Sequence, residues 1–235
     1  MLIEIWSDVA CPFCYVGKRH LEAALADFDH RDEVEVRWRS FQLDPSAARS
    51  TPEDRPGTAR LIAAKYGMPL EQAEAMNDRV TAMAAEAGLD FHLDAARHAS
   101  TLDAHRLLHE AARHGAQDAL KERLLRAYFT DGERVDDPAL LTRLAVDAGV
   151  PRDAAQRVLG SGEHAGAVRA DQSEAAALGA TGVPFVVVDR RYGVSGAQPV
   201  EVFTRTLEQA WAERTPVVVP AVAAPAGEVC GPEGC

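Results

Sequence analysis

The chain has 235 residues, 47% hydrophobic and 26% charged, enough to bury a substantial core as one large or two modest domains. Its formal net charge of -11, with no dense Lys/Arg cluster, opposes a phosphate backbone and an anionic membrane surface, so neither nucleic acid nor membrane is an expected partner. The four cysteines fall as two close pairs, Cys11/Cys14 and Cys230/Cys235. That spacing does not suit a disulfide-stapled secreted domain and points to redox chemistry or metal in a reducing compartment.

Residues 2–6, Leu-Ile-Glu-Ile-Trp, form a short apolar run that reads as a strand. Glu4 and Asp8 interrupt the apolar start and no basic stretch precedes it, so no export signal is read and a cytoplasmic location is expected. From Pro12 to Phe28, Val16, Leu21, Ala24, Leu25 and Phe28 recur at helical spacing, with Pro12 in a first turn, where its missing N–H does no harm. Residues 34–41 alternate Val34, Val36 and Trp38 against Glu35, Arg37 and Arg39, the period of a second strand. From about residue 50 to 180 the pattern is helical, and its segments end at or near glycines that serve as C-caps. Strand signal returns at 183–189 and 192–196, joined as a hairpin through Asp189-Arg190-Arg191. A last helix over about 199–213 sets Val202, Phe203, Leu207 and Trp211 on one face, and the proline-bearing stretch after it reads as an extended tether. No segment approaches the roughly 18 apolar residues of a membrane-spanning helix.

The strands lie at the two ends of the chain and would be marginal alone, so the sequence predicts one mixed α/β sheet with a helical insertion between its halves. The Cys-Pro-Phe-Cys motif, Cys11 to Cys14, sits where the first strand gives way to a helix. Free N–H groups and the helix dipole there favour an anion, which predicts a lowered pKa for Cys11. Cys14, one turn further in, is placed to resolve a mixed disulfide formed by Cys11. Zinc would need two more ligands, and Cys230/Cys235, with four residues between them on a tether, match structural zinc spacing poorly. No metal site is expected.

The segments SDVACPFCYVGKRHLE, TLDAHRLLHEA, LLRAYF and GATGVPFVVVDRRYGVSGAQPVEVF, in this order, resemble the DsbA-like thioredoxin-fold family. The resemblance is to its FrnE-type branch, related to 2-hydroxychromene-2-carboxylate isomerases and kappa-class glutathione transferases, and spans roughly residues 1–213. It implies a thioredoxin-like mixed sheet with a large all-helical insertion: 1–44 with 176–213 as the thioredoxin-like domain, 45–175 as the insertion and 214–235 as a flexible tail. From the residues alone, Pro184 reads as a trans proline that starts a strand. The resemblance instead implies a cis Val183–Pro184 bond facing the dithiol, with the Val183 backbone pairing with an extended substrate.

The implied activity is thiol–disulfide exchange with protein or peptide disulfides, with no cofactor and with a small-molecule thiol as one candidate reductant. Cys11, Cys14 and Pro184 would be catalytic, and Val183, Pro12 and Phe13 would meet substrate. The isomerase and transferase relatives usually carry serine at the position of Cys11, and the transferases show Gly-x-Asp-Arg where this chain reads Gly196-Ala197-Gln198-Pro199. A glutathione-dependent isomerase of small aromatic substrates and a holdase-type peptide binder are the alternatives. Trp6 reads as part of an apolar rim with Phe13 or as core. Asp8 reads as a modulator of proton transfer to Cys14 or as a polar loop residue. Cys230/Cys235, on a tether able to span ~25 Å, read as an accessory redox pair or a dispensable tail. His20 reads as a surface residue. The histidines of His109-Glu-Ala-Ala-Arg-His114 are five apart and do not share a face as zinc ligands would, and His105 with His109 reads as a solvated helix face.

Overall fold

The computed structural model describes residues 1–54 and 57–214. β1 (Leu2–Ser7) runs into α1 (Pro12–Ala26), and the chain returns through one 3-10 turn to β2 (Glu35–Ser40), which pairs parallel to β1. Parallel strands require such a crossover, and a 15-residue helix supplies it. The sheet is completed from the far end of the chain by β3 (Phe185–Val188), antiparallel to β1, and β4 (Tyr192–Ser195), giving the order β2-β1-β3-β4. At the hairpin turn Asp189 and Arg190 both take positive φ, 46° and 57°, which matches the strands' twist, and Asp189 Oδ1 accepts the Leu2 N–H at 2.7 Å. The Val183–Pro184 peptide is cis, and the strand predicted from residue 183 begins only at Phe185, since proline has no N–H for the ladder.

Period-two alternation splits the sheet into two faces. Ile3, Ile5, Val186 and Val188 pack on Leu21 and Phe28 and on Phe203 and Leu207 of α9 (Val200–Ala212). On the opposite face Trp6 and Val187 pack with Ala175 of α8 (Ala165–Ala177). Glu4 shares that face and is buried, and Arg39 Nε at 2.9 Å and Arg190 Nη2 at 2.6 Å both donate to its Oε1. Burial works against its charge, but the two guanidinium groups hold its carboxyl below the usual range.

Between β2 and α8 lie α2 (Ala59–Tyr66), α3 (Leu70–Glu86), α4 (Leu102–Arg113), α5 (Gln117–Phe129), α6 (Pro138–Ala148) and α7 (Arg152–Leu159). Their shared core contains Leu107, Leu120, Leu124, Leu125, Phe129, Leu141 and Val158, and it takes in Val9, Tyr15 and Val16 from the β1–α1 end. The helical segment is therefore packed directly on the helix that carries the two cysteines. On the other side of α1, Gly17 lets the Pro184 ring approach: a Cβ added there would stand 3.0 Å from Pro184 Cγ. Gly17→Ala is expected to lower stability by about 1–3 kcal/mol through overpacking. Urea unfolding measures it, and an unchanged midpoint would show that the Pro184 loop yields freely.

Candidate active site

Cys11 is the N-cap residue of α1, with extended φ and ψ of -101° and 114°, and Pro12 takes the first helical position. Cys14 N–H donates to the Cys11 carbonyl at 3.1 Å, closing the first turn and bringing the two side chains to one end of the helix. Both thiols are free and buried, Cys11 at 3% and Cys14 at 1% exposure. The Cys11 thiol points to the Val183 carbonyl, with Sγ 3.6 Å from the oxygen. Phe13, 40% exposed, stands at the surface beside them, and Pro12 is half-buried. Cys11, Cys14, Val183 and Pro184 thus meet at one place, with Pro12 and Phe13 at its edge. Trp6 is not part of that edge: it is fully buried and its indole N–H donates to the Asp171 carbonyl at 2.8 Å. His20 is half-buried, its Nδ1 2.8 Å from the Gln198 carbonyl. Cys230 and Cys235 lie outside the described residues.

The expectation of a lowered Cys11 pKa is corrected. The interaction with Cys14, then burial, pushes the Cys11 thiol well up, and the Asp8 charge adds to the effect. Burial opposes ionisation of Cys14 too, but the Cys11 thiol, the ammonium of Lys121, the Ser7 hydroxyl and the Asp8 backbone together lower it. Helix position alone favours Cys11; the groups below the helix favour its partner. Because the sulfurs interact, the two protons leave in well-separated steps that belong to the pair as a unit.

Those groups form a buried polar layer. Asp8 is 2% exposed, accepts the Leu43 N–H on Oδ2 at 2.8 Å, and has Oδ1 3.2 Å from His105 Nε2. Burial alone would raise its pKa, but His105, Leu43 and Lys121 hold it low, so Asp8 is a charged interior group rather than a solvated loop residue. His105 is wholly buried, which overturns the solvated-face reading: α4 is enclosed by α5, α6, α7, α8 and β2. Burial keeps its imidazole neutral, and among the described residues its Nδ1 has no hydrogen-bond partner. His109 is half-buried, with Nε2 3.1 Å from both Ser40 Oγ and Asp171 Oδ2. Lys121, missed from the sequence, is 1% exposed. It falls with Leu124, Leu125 and Tyr128 on one i, i+3, i+4, i+7 stripe, and that position is the signal that could have exposed it.

A second polar cluster gathers donor atoms of Glu110, Glu163 and His164 within 4.8 Å of one another. Arg157 already bridges both carboxylates, at 3.0 Å to Glu110 and 3.0 Å to Glu163, so one of their two charges is offset from within. With His164 and His114 also bonded to Glu110, the cluster ties α4 to α7 and the start of α8.

The model of the DSBA-like thioredoxin domain matches residues 2–208. The chain belongs to this family. Among solved structures, this DSBA-like chain is similar to a probable DsbA oxidoreductase from Streptomyces coelicolor, 50% identical, with a TM-score of 0.85 over 100% of this chain and 98% of that one. It shares its fold with the cytosolic disulfide reductase DsbM of Pseudomonas aeruginosa, 18% identical, TM-score 0.60, covering 90% and 99% of the two chains. It is also 27% identical to the uncharacterized protein YwbO of Bacillus subtilis over 158 residues, 63% of this chain and 66% of that protein, just under two thirds of its length.

The two-step ionisation makes a direct prediction. Ultraviolet titration of the reduced DSBA-like protein is expected to show one thiolate equivalent forming below the ordinary thiol value of ~8.5 and the other forming well above it. Two equivalents appearing together would contradict the coupled pair.

Proposed function

We propose that this protein is a thiol–disulfide oxidoreductase that exchanges disulfides with protein or peptide substrates through the Cys11-Pro12-Phe13-Cys14 dithiol. The observation that carries the reading is the placement of two free, buried sulfurs at the N-terminus of α1, with the outer one directed at the Val183 carbonyl beside Pro184. An extended substrate strand laid along Val183 would use its backbone groups and bring a disulfide to Cys11, while Phe13 and Pro12 offer an apolar edge.

The chemistry follows from the shared proton. Cys11 Sγ bonds to one substrate sulfur, the substrate S–S bond breaks, and the second substrate sulfur leaves as a thiolate. The Cys11 proton passes to the Cys14 thiolate at the same time. In the mixed disulfide Cys14 loses that proton to the departing chain and attacks Cys11 Sγ, leaving a Cys11–Cys14 disulfide, one substrate thiol and one substrate thiolate. A small-molecule thiol in the cytoplasm returns the disulfide to the dithiol. The DsbM structure solved with GSH supports that choice of reductant as an analogy of fold.

Reduction of insulin by wild type and Cys11→Ser, with glutathione as the electron source, tests the reading. Wild type is expected to turn over and Cys11→Ser to lose turnover. Equal turnover by the two, or suppression of insulin aggregation without thiol consumption, would place the protein among peptide binders instead.

A further inference from the structure

Large apolar side chains exposed one at a time are ordinary, and among the described residues Leu61, Tyr66, Leu70 and Met83 on α2 and α3 are of that kind. Leu43 differs in how its backbone is held. Its side chain is 45% exposed among the described residues, yet its N–H donates to Asp8 Oδ2 at 2.8 Å, three residues before Cys11. The preceding residue, Gln42, is tied to α8 twice: its N–H donates to Gln172 Oε1 at 3.1 Å, and its carbonyl accepts from Gln172 Nε2 at 3.2 Å. One residue earlier, Phe41 packs on the Trp6 cluster, which also carries Val183 and Phe185. A leucine presented on so fixed a backbone has little ordering cost left when something covers it.

The sheet explains why these groups meet. β1 and β2 run parallel and leave the sheet at one end, and β3, antiparallel to β1, enters at that end, with Trp6 opposite both Arg39 and Phe185. Strands stand about 4.8 Å apart, so the lines of β2 and β3 lie about 10 Å apart with β1 between them. Cys11 follows β1, Leu43 follows β2 and Val183 precedes β3, which sets Leu43 and Val183 on opposite flanks of the loop that leads into the dithiol. Beyond Leu43 the surface turns polar: Asp44 accepts the Ser46 N–H at 3.0 Å and has His98 Nε2 at 3.3 Å.

We propose that Leu43 is a substrate-contact residue that selects chains carrying a large apolar side chain two positions from the reacting cysteine. The inference rests on the oxidoreductase reading and deepens it by naming the substrate class. The covalent step fixes the occupant. Cys11 Sγ bonds to a substrate sulfur, so the residues flanking that substrate cysteine must lie over this end of the sheet. In an extended chain the side chains two positions away point to the same face as the cysteine and stand about 7 Å from it, the reach needed to pass from Cys11 to Leu43. An acidic residue there would leave Leu43 uncovered and would face the Asp44 carboxylate.

Two measurements test this. In a Cys14→Ser background the reaction stops at the mixed disulfide: the Cys11 thiol and a symmetric peptide disulfide give the Cys11–peptide disulfide and one peptide thiol. The peptides carry leucine, or serine, at the second position on each side of their cysteine, which covers both chain directions. The leucine peptide is expected to react about tenfold faster, because the shared contact buries part of two leucine side chains. Leu43→Ser should bring that ratio to about one and Leu43→Met should restore it, whereas Leu61→Ser, at a similarly exposed leucine on α2, should leave it intact. In the unsubstituted protein, Leu43 methyl resonances should shift on titration with the leucine peptide carrying serine for cysteine, and those of Leu61 should not. That measurement needs neither a folded variant nor sulfur chemistry. Equal rates for the two peptides, a preference that survives Leu43→Ser, or Leu43 methyls indifferent to the peptide would overturn the proposal. Leu43 shifts that depend on protein concentration alone would assign the surface to a second copy of the chain and overturn it equally. Failure of both peptides to form any adduct would instead overturn the oxidoreductase reading, and the methyl titration would still decide what Leu43 binds.

Discussion

Two thiols enclosed where β1 ends and α1 begins can hold one negative charge between them but not two. In a medium of low effective dielectric, a second anion a few ångströms from the first is costly, and little water reaches either sulfur to offset it. The site is therefore organised around where the single charge rests and where the single proton goes. The helix N-terminus and the Cys14 N–H, with Ser7 and Lys121 on the inner side, all favour that single anion on the pair. The outer sulfur faces Val183, and Phe13 beside the pair is exposed.

That arrangement needs both parts of the chain. The sheet supplies the ends that meet: β1 leads into the dithiol, and the segment before β3 brings Val183 and Pro184 against α1 at Gly17. The helices from α2 to α8 do more than cover the sheet. Their core incorporates Val9, Tyr15 and Val16 on either side of the cysteines, and α4 and α5 insert His105 and Lys121 beneath them. Buried polar groups of this kind require partners, and here Asp8, His105, Ser7 and the sulfurs lie close enough to answer one another.

Much of this was legible in local patterns. Alternation at 34–41 gives β2, the apolar period after Pro12 gives α1, and Asp189-Arg190-Arg191 marks the hairpin, because each depends on near neighbours in sequence. The Cys-x-x-Cys at a strand-to-helix junction likewise identifies the sulfurs. What could not be read is which faces the helices turn to one another. His105 reads as solvated because α4 has polar residues on several sides, yet neighbours remote in sequence enclose it, and only the fold shows them. Lys121 stands on an apolar stripe, so its burial was open to inference. Its neighbours were not, since Trp38 and Asp8 stand more than eighty residues away. The misplaced thiol charge has the same origin: the helix dipole is a local effect, whereas the groups that outweigh it converge through tertiary packing.

The assignment of distinct roles to the two sulfurs is tested most directly by trapping the intermediate. A peptide disulfide is mixed with the Cys14→Ser and Cys11→Ser proteins, and the adducts are located by mass spectrometry. The account predicts a mixed disulfide on Cys11 in the first and none on Cys14 in the second. An adduct on Cys14, or no adduct on Cys11, would contradict it.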